Sequence, residues 1–459
     1  MRGLQRLAAE TPLPWRRPRH EPLLLALVVL AALPQVQQPN TQDVSRLCLT
    51  RAIVAGRLSA DSCLDDHTED KSLHAGHLYS NKAPGMSLAE LAPAEVVRLG
   101  PSTSWDWKGD LRLWFVHLVA AGLPFLLCVF CVGRVSEALA PGFGGACMVT
   151  FALGTQMSAL AVAGFGHVPA ASFGFLAFLL AWSKRPLAAG LAAGTALAFE
   201  YEAAAIAVLV LAYVALRGWR PLARYVIGVV PGAALVGAYD WAAFGAPWHN
   251  PLSYSDNALA AQERSGLLGI HLPMVHSTGQ VFLGDRGLLI GAPVLVAGAA
   301  GLAVLWRRGL RAETLLCLGV AVAFLVAECG YFVPYGGRAP GPRFLVPALP
   351  FLMLGLGPAF AGMRLATSAL AAISVAASSA LMLTWQGMAH YRDTVWGEMA
   401  RVLSQGGSAR IMNALPRNVL TWGSTRFAGV AVTVIFTVGA FLIAVGERLK
   451  NTADEVTPS

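Results

Sequence analysis

Asp43, Lys82 and Arg343 are the residues whose type and setting best suit chemistry at a membrane surface. Asp43 comes shortly after the first apolar stretch and opens a segment with apolar residues at Val44, Leu47, Ala52, Ile53 and Leu58. That spacing predicts a helix lying on the membrane with Asp43 in its first turn. An Asp there acts either as a plain helix cap or as a general base held at the surface, and the residue type leaves both readings open. Lys82 stands in Tyr-Ser-Asn-Lys-Ala-Pro-Gly, just before a second apolar-spaced segment, Met86 to Leu99. A Lys in such a turn is either solvated or holds a phosphate as a point charge. Arg343 ends a loop and opens an apolar stretch, so its guanidinium either snorkels to the interface or meets a phosphate at headgroup depth. Arg338 reads more simply as a snorkelling residue. Asp70, Tyr79, His167 and Glu202 are weaker candidates to line the same cavity.

Most of these residues fall in polar stretches that share a character. The largest runs from Gln38 to Asp110, between the first two apolar segments. Others surround Gly166-His167 and Glu200-Tyr201-Glu202, span Gly245 to Arg286, and span Glu328 to Arg343. Within the first, Asp65, Asp66, His67, Glu69, Asp70, His74 and His77 offer oxygen and nitrogen ligands, but at no recognisable zinc or calcium spacing. The run reads as a solvated loop. No cofactor is expected, and a divalent ion bound there would brace the loop or a phosphate.

The elements that position these groups follow from composition. The chain has 459 residues, 56% hydrophobic and 13% charged, with mean hydropathy +0.56. That is about half the charge of a soluble domain, so the class is an all-α polytopic membrane protein and a soluble enzyme is excluded. The net charge of +8 is scattered through short loops and does not point to nucleic acid. About twelve spans are expected: Pro22–Val36, Leu111–Val132, Phe143–Phe165, Val168–Trp182, Pro186–Phe199, Ala203–Leu216, Tyr225–Phe244, Gly287–Trp306, Thr314–Val333, Phe344–Gly362, Ala366–Trp385 and Phe427–Gly446. They divide the chain into a basic N-terminus (1–21), a transmembrane domain (22–446, with its first loop at 38–110) and a short tail (447–459). The fourth to sixth spans are short. The first is read as an anchor, because Ala-Leu-Pro-Gln-Val-Gln-Gln offers no small-x-small cleavage site.

Orientation comes from the basic residues. Arg134, Lys184 with Arg185, Arg217 with Arg220 and Arg224, Arg307 with Arg308 and Arg311, Arg364, and Arg448 with Lys450 mark every second junction. By the positive-inside rule both termini are cytoplasmic and the long loops face outward. Cys48 and Cys63 then lie in an outward loop, where an oxidising compartment permits a disulfide. Cys128, Cys131, Cys147, Cys317 and Cys329 fall in spans and read as small apolar residues.

Asp43 after the first span, Tyr79-Ser80-Asn81-Lys82-Ala83-Pro84-Gly85, and Gly341-Pro342-Arg343-Phe344-Leu345-Val346-Pro347-Ala348-Leu349-Pro350 together resemble the GT-C superfamily. These are polytopic glycosyltransferases that take sugars from polyprenyl-phosphate carriers. The resemblance is to the family 39 branch of protein O-mannosyltransferases and lipid A aminoarabinose transferase, through its bacterial members. It implies a plasma-membrane enzyme of the cell envelope that transfers a hexosyl or pentosyl group outside the cytoplasm. It also implies Asp43 as catalytic base and Lys82 on the carrier phosphate, with a lipid, glycan or protein acceptor. Two departures stand out. The family often shows Asp-Glu where this chain has Asp43-Val44, and the soluble domain appended in several members has no counterpart after Lys450, which suggests a small or lipidic acceptor.

Such a reaction needs a carboxylate to take the acceptor hydroxyl's proton and cations to stabilise the departing phosphate. One base and no carboxylate nucleophile suffices for single displacement with inversion. Two other readings stand beside it: a transporter or flippase of a lipid-linked sugar, expected to show internal repeats and mid-span polar groups, and a non-catalytic glycolipid-binding protein.

Overall fold

The computed structural model describes residues 15–35, 39–65, 68–99, 111–267, 269–337, 339–385, 395–405 and 428–446. Asp66, His67, Arg338 and the C-terminal tail lie outside them. Helices occur in all twelve apolar stretches. Among the described residues, four are long and apolar enough to cross a membrane: Leu111–Leu139, Trp219–Phe244, Arg311–Gly330 and Arg364–Thr384. Two further pairs are bent, Val275–Gly291 with Val294–Arg307 by 83° and Arg343–Met353 with Leu356–Gly362 by 52°. Pro293 sits in the first break, where its missing N–H and its ring end the preceding helix. Six shorter apolar helices complete the set. The third predicted span is two pieces, Gly144–Leu153 and Met157–Leu160, rather than one helix.

Small residues set the closest approach between helices. The helices Pro186–Phe199 and Trp219–Phe244 each carry two glycines four residues apart, Gly190 and Gly194 facing Gly228 and Gly232. A Cβ at Gly190 would lie 2.1 Å from the Tyr225 carbonyl oxygen, and one at Gly232 2.1 Å from that of Gly194. Backbones this close gain packing that apolar surroundings alone do not provide between membrane helices. The crossing holds the C-terminal end of Pro186–Phe199, which carries Glu200.

Among the described residues, buried charges on the long apolar helices lie near the helix ends. At one end Arg134 grips Glu21 with two nitrogens, at 2.6 and 2.8 Å. Glu313, in the first turn of Arg311–Gly330, accepts from the Tyr213 hydroxyl at 2.6 Å.

The opposite end carries the first loop. Its helix α1 (Thr41–Val54) is followed by a hairpin, β1 (Lys71–His74) and β2 (His77–Ser80), and then by α2 (Gly85–Val96). The hairpin turns through Ala75 and Gly76, both at positive φ (51° and 82°), the backbone a tight two-residue turn requires. Its register pairs Lys71 with Ser80, so Asp70 and Lys82 emerge beyond the same end of the ribbon.

Cys48 of α1 is bonded to Cys63. The other five cysteines are free and buried. A membrane-impermeant thiol probe applied to the outside of cells should therefore label Cys48 and Cys63 only after reduction. Labelling without reductant would rule out the bond, and no labelling after reduction would place this loop on the other side.

Candidate active site

The site grows from the first turn of α1. Asn40 caps the helix, its side chain accepting from the Gln42 and Asp43 amides at 2.9 and 3.2 Å. Asp43 answers by accepting from the Asn40 amide at 2.7 Å, which completes a capping box. Capping is therefore part of what Asp43 does. It is not all, because its other oxygen accepts from the amide of Gly164, 121 residues away, at 2.6 Å. Gly164 is needed for that approach: a Cβ there would sit 2.4 Å from Asp43 Oδ1 and 3.0 Å from His117 Nε2. Asp43 is only 1% exposed. Burial lifts its pKa from 3.8 to about 7, against the two backbone N–H groups and the Arg46 charge that lower it. A carboxyl poised near neutrality is suited to taking a proton from a hydroxyl.

Cations gather beside it. Lys82 pairs with Asp70 at 2.6 Å, both half-buried. The Asp70 carboxylate also accepts from the hydroxyl of Thr41, two residues before Asp43 on the same helix turn. Burial raises the Asp70 pKa, and the charges of Lys82 and Arg343 outweigh it to hold the group below the usual range. Arg343 opens a 3-10 turn, Arg343–Ala348, anchored where the Phe344 amide donates to Glu328 at 2.8 Å. Its guanidinium lies 5.1 Å from the Phe344 ring centre and 5.9 Å from that of Phe165. Among the described residues it has no hydrogen bond or ion pair, and its Nε is buried without a partner.

A third group lies deeper. Arg46, fully buried one turn after Asp43, donates to Gln42 at 2.8 Å and to Glu200 at 2.5 Å. Glu200 ends the helix Pro186–Phe199 in extended backbone, and the short turn Tyr201–Ala203 that follows brings Glu202 to the same place. His167, at the start of His167–Trp182, stands between them, 3.3 Å from Glu200 and 3.2 Å from Glu202. Burial works to raise the Glu200 pKa, and the charges of His167 and Arg46 overcome it to lower it. Behind Asp43, Glu90 accepts from Thr50 at 2.9 Å, with His117 Nε2 at 3.7 Å from its other oxygen. Burial raises Glu90 to about 8, so it carries a proton at neutral pH.

Asp43, Asp70, Lys82, Arg343, His167 and Glu202 thus share one end of the bundle. Asp43 feels the charge of Asp70, and Asp70 that of Arg343. Tyr79 goes elsewhere. Strand alternation points it to an aromatic cluster with Phe244, at 5.4 Å, while its neighbour Ser80 bonds Ser45 at 2.7 Å. The acidic run also disperses: Asp65 accepts from Thr68, and His77 pairs with Asp61 on the surface. The described residues that bring three potential ligand atoms within 4.8 Å of one another are His167, Glu200 and Glu202. Sequence reasoning missed Arg46, Glu90, His117, Glu200 and Glu328. The i,i+3 spacing of Asp43 and Arg46 on a surface helix, and Glu200-x-Glu202 between two spans, were the signals available.

No protein-family model matches the sequence, and no curated protein does. Among solved structures, ArnT from Cupriavidus metallidurans in the apo state superposes over 93% of this chain and 76% of its own, with a TM-score of 0.52 at 15% identity. The same protein bound to undecaprenyl phosphate gives 0.46 at 13% identity, over 94% and 78% of the two chains. The apo oligosaccharyltransferase of Archaeoglobus fulgidus gives 0.39 at 12% identity, over 91% and 55%. The first of these likenesses establishes a common fold.

Proposed function

We propose, for a chain that has the GT-C fold of ArnT, that it transfers a sugar with inversion from a polyprenyl-phosphate carrier to an acceptor hydroxyl. The observation that carries this reading is the presence, at one end of an apolar bundle, of both a buried carboxyl near neutrality and a guanidinium that makes no hydrogen bond or ion pair among the described residues. Asp43 takes the hydroxyl proton as the acceptor oxygen attacks the anomeric carbon. The bond from that carbon to the phosphate oxygen breaks, and negative charge grows on the phosphate. Arg343 and Lys82 meet that charge as it develops. Their place at the mouth of the bundle suits a donor whose tail lies in lipid and whose head lies at the interface. The basic junctions put this end outside the cytoplasm and both termini inside. Among the described residues the buried charges of the long apolar helices lie near their ends, which favours an enzyme over a translocation path through the bundle.

The test incubates membranes containing the chain with a panel of labelled polyprenyl-phosphate sugars. Transfer of label to lipid, glycan or protein, absent with empty membranes, is the expected result. No transfer from any donor, with labelled lipid crossing vesicles that contain the purified chain, would replace this reading with a flippase.

A further inference from the structure

We propose that Gln156 and Glu328 are positioning residues of the phosphate site: they hold the backbone on either side of Arg343, so that its guanidinium is in place before an anion arrives. The inference rests on the reading of Arg343 as a ligand of the donor phosphate.

The segment that delivers Arg343 has little stiffness of its own at its start. Tyr335 to Gly341 carries three glycines, and Tyr335, Gly336 and Gly337 all sit at positive φ, 63°, 65° and 96°. Such a stretch loses much conformational freedom when it is ordered. A guanidinium at its end that became ordered only on binding would lose affinity by that amount.

Three bonds from distant parts of the chain remove this freedom in advance. The Arg286 guanidinium donates to the Ala339 carbonyl at 2.6 Å, the Gln156 side-chain amide donates to the Pro342 carbonyl at 2.6 Å, and the Phe344 amide donates to Glu328 at 2.8 Å. Pro340 and Pro342 fix φ between the first and last of these anchors. Arg343 therefore has a pinned neighbour on each side. Its stem lies against Gly336, where a Cβ would come within 2.5 Å of Nε and 2.8 Å of Cγ. Its guanidinium lies 5.1 Å from the centre of the Phe344 ring, which Tyr331 packs edge-on at 4.8 Å. Backbone, stem and ring are all held, while Nε stays buried without a partner.

The placing of the two anchors supports the same role. Gln156 is 9% exposed and stands in the break between Gly144–Leu153 and Met157–Leu160, inside an apolar stretch. Unwound backbone at such a depth is tolerated where it is buried in protein and serves a contact. Here the break brings Gln156 onto Pro342, so closely that a Cβ at Gly341 would collide with Gln156 Oε1. Glu328 is fully buried near the C-terminal end of Arg311–Gly330. Both side chains direct their bonds to backbone and leave the guanidinium uncommitted.

Binding of undecaprenyl phosphate to the purified protein in detergent tests this without sugar or acceptor. Undecaprenol, which lacks the phosphate, is the reference ligand. Gln156→Leu and Glu328→Leu should each weaken binding of the phosphate about tenfold and leave binding of undecaprenol unchanged. Glu328→Gln, whose side-chain carbonyl can still accept from Phe344, should recover most of the loss of Glu328→Leu. The deciding measurement is a double-mutant cycle. In an Arg343→Ala background, Gln156→Leu should weaken binding by less than about twofold, because no guanidinium is left to position. The full loss in that background, or an equal loss for undecaprenol, would make Gln156 a structural residue and overturn the proposal. So would wild-type binding by both leucine variants while Arg343→Ala binds weakly. If one leucine variant fails to fold, the cycle is run with the other. Wild-type binding by Arg343→Ala itself would instead overturn the reading of Arg343 as a phosphate ligand, and the positioning role with it.

Discussion

Asp43→Asn should lower sugar transfer by about 10²–10⁴-fold while leaving donor affinity nearly unchanged. The amide keeps the size of the carboxyl and can still accept from the Gly164 amide, but it cannot take a proton. It also faces the Asn40 amide with either an oxygen or an NH₂ group, so loss of one capping bond should cost about 1 kcal/mol of stability. A thermal unfolding curve separates that cost from the kinetic one. In the wild type, transfer should rise about tenfold per pH unit up to about pH 7 and then level, as the buried carboxyl ionises. Stability should run the other way. The folded chain keeps a proton that the unfolded chain releases near pH 4, so the contribution of this group is full below that pH and is lost as pH rises through about 7. An Asp43→Asn enzyme with near wild-type transfer would move the base to Asp70 or Glu202.

Arg343→Ala should raise the donor KM by about ten- to hundredfold, the loss expected for a charge-assisted contact of about 1.5–3 kcal/mol, and should lower turnover as well. Both change because the phosphate is charged in the ground state and more so in the transition state. An unchanged donor KM would leave Arg343 as an interfacial anchor only. Lys82→Ala should be at least as damaging, because it removes a cation from the phosphate and also frees Asp70. It leaves the Asp70 carboxylate with the Thr41 hydroxyl and the field of Arg343, so the Arg343 guanidinium is drawn from the phosphate toward Asp70. Asp70→Asn combined with Lys82→Ala should recover part of the loss. Failure to recover any would mean that the lost contact of Lys82 with the phosphate accounts for the whole effect and Asp70 for none of it.

The helical elements were legible because apolar runs and surface-helix spacing are local. Each of the twelve apolar stretches contains a helix, and α1 begins where the apolar spacing after Asp43 puts it. The breaks at Pro293 and Gly355 were harder to foresee, since proline and glycine are common in membrane helices without ending them. Asp43, Lys82 and Arg343 stood out because each charged residue borders an apolar segment. Arg46 and Glu200 did not, because their meaning lies in a contact across 154 residues. Tyr79 was drawn in by its neighbours Asn81 and Lys82, yet one step along a strand reverses the direction of a side chain. The acidic run promised ligands by density alone, whereas the three residues that converge are separated by two spans.

The bond between Cys48 and Cys63 has a consequence for how the chain is made. Cys48 lies two residues beyond Arg46 on the helix that carries Asp43, so the bond fastens the element that supplies the base. Thiols persist in the cytosol and oxidise once exported. A chain inserted upside down would keep both as thiols, so this one bond is a lasting record of which way each molecule entered the membrane.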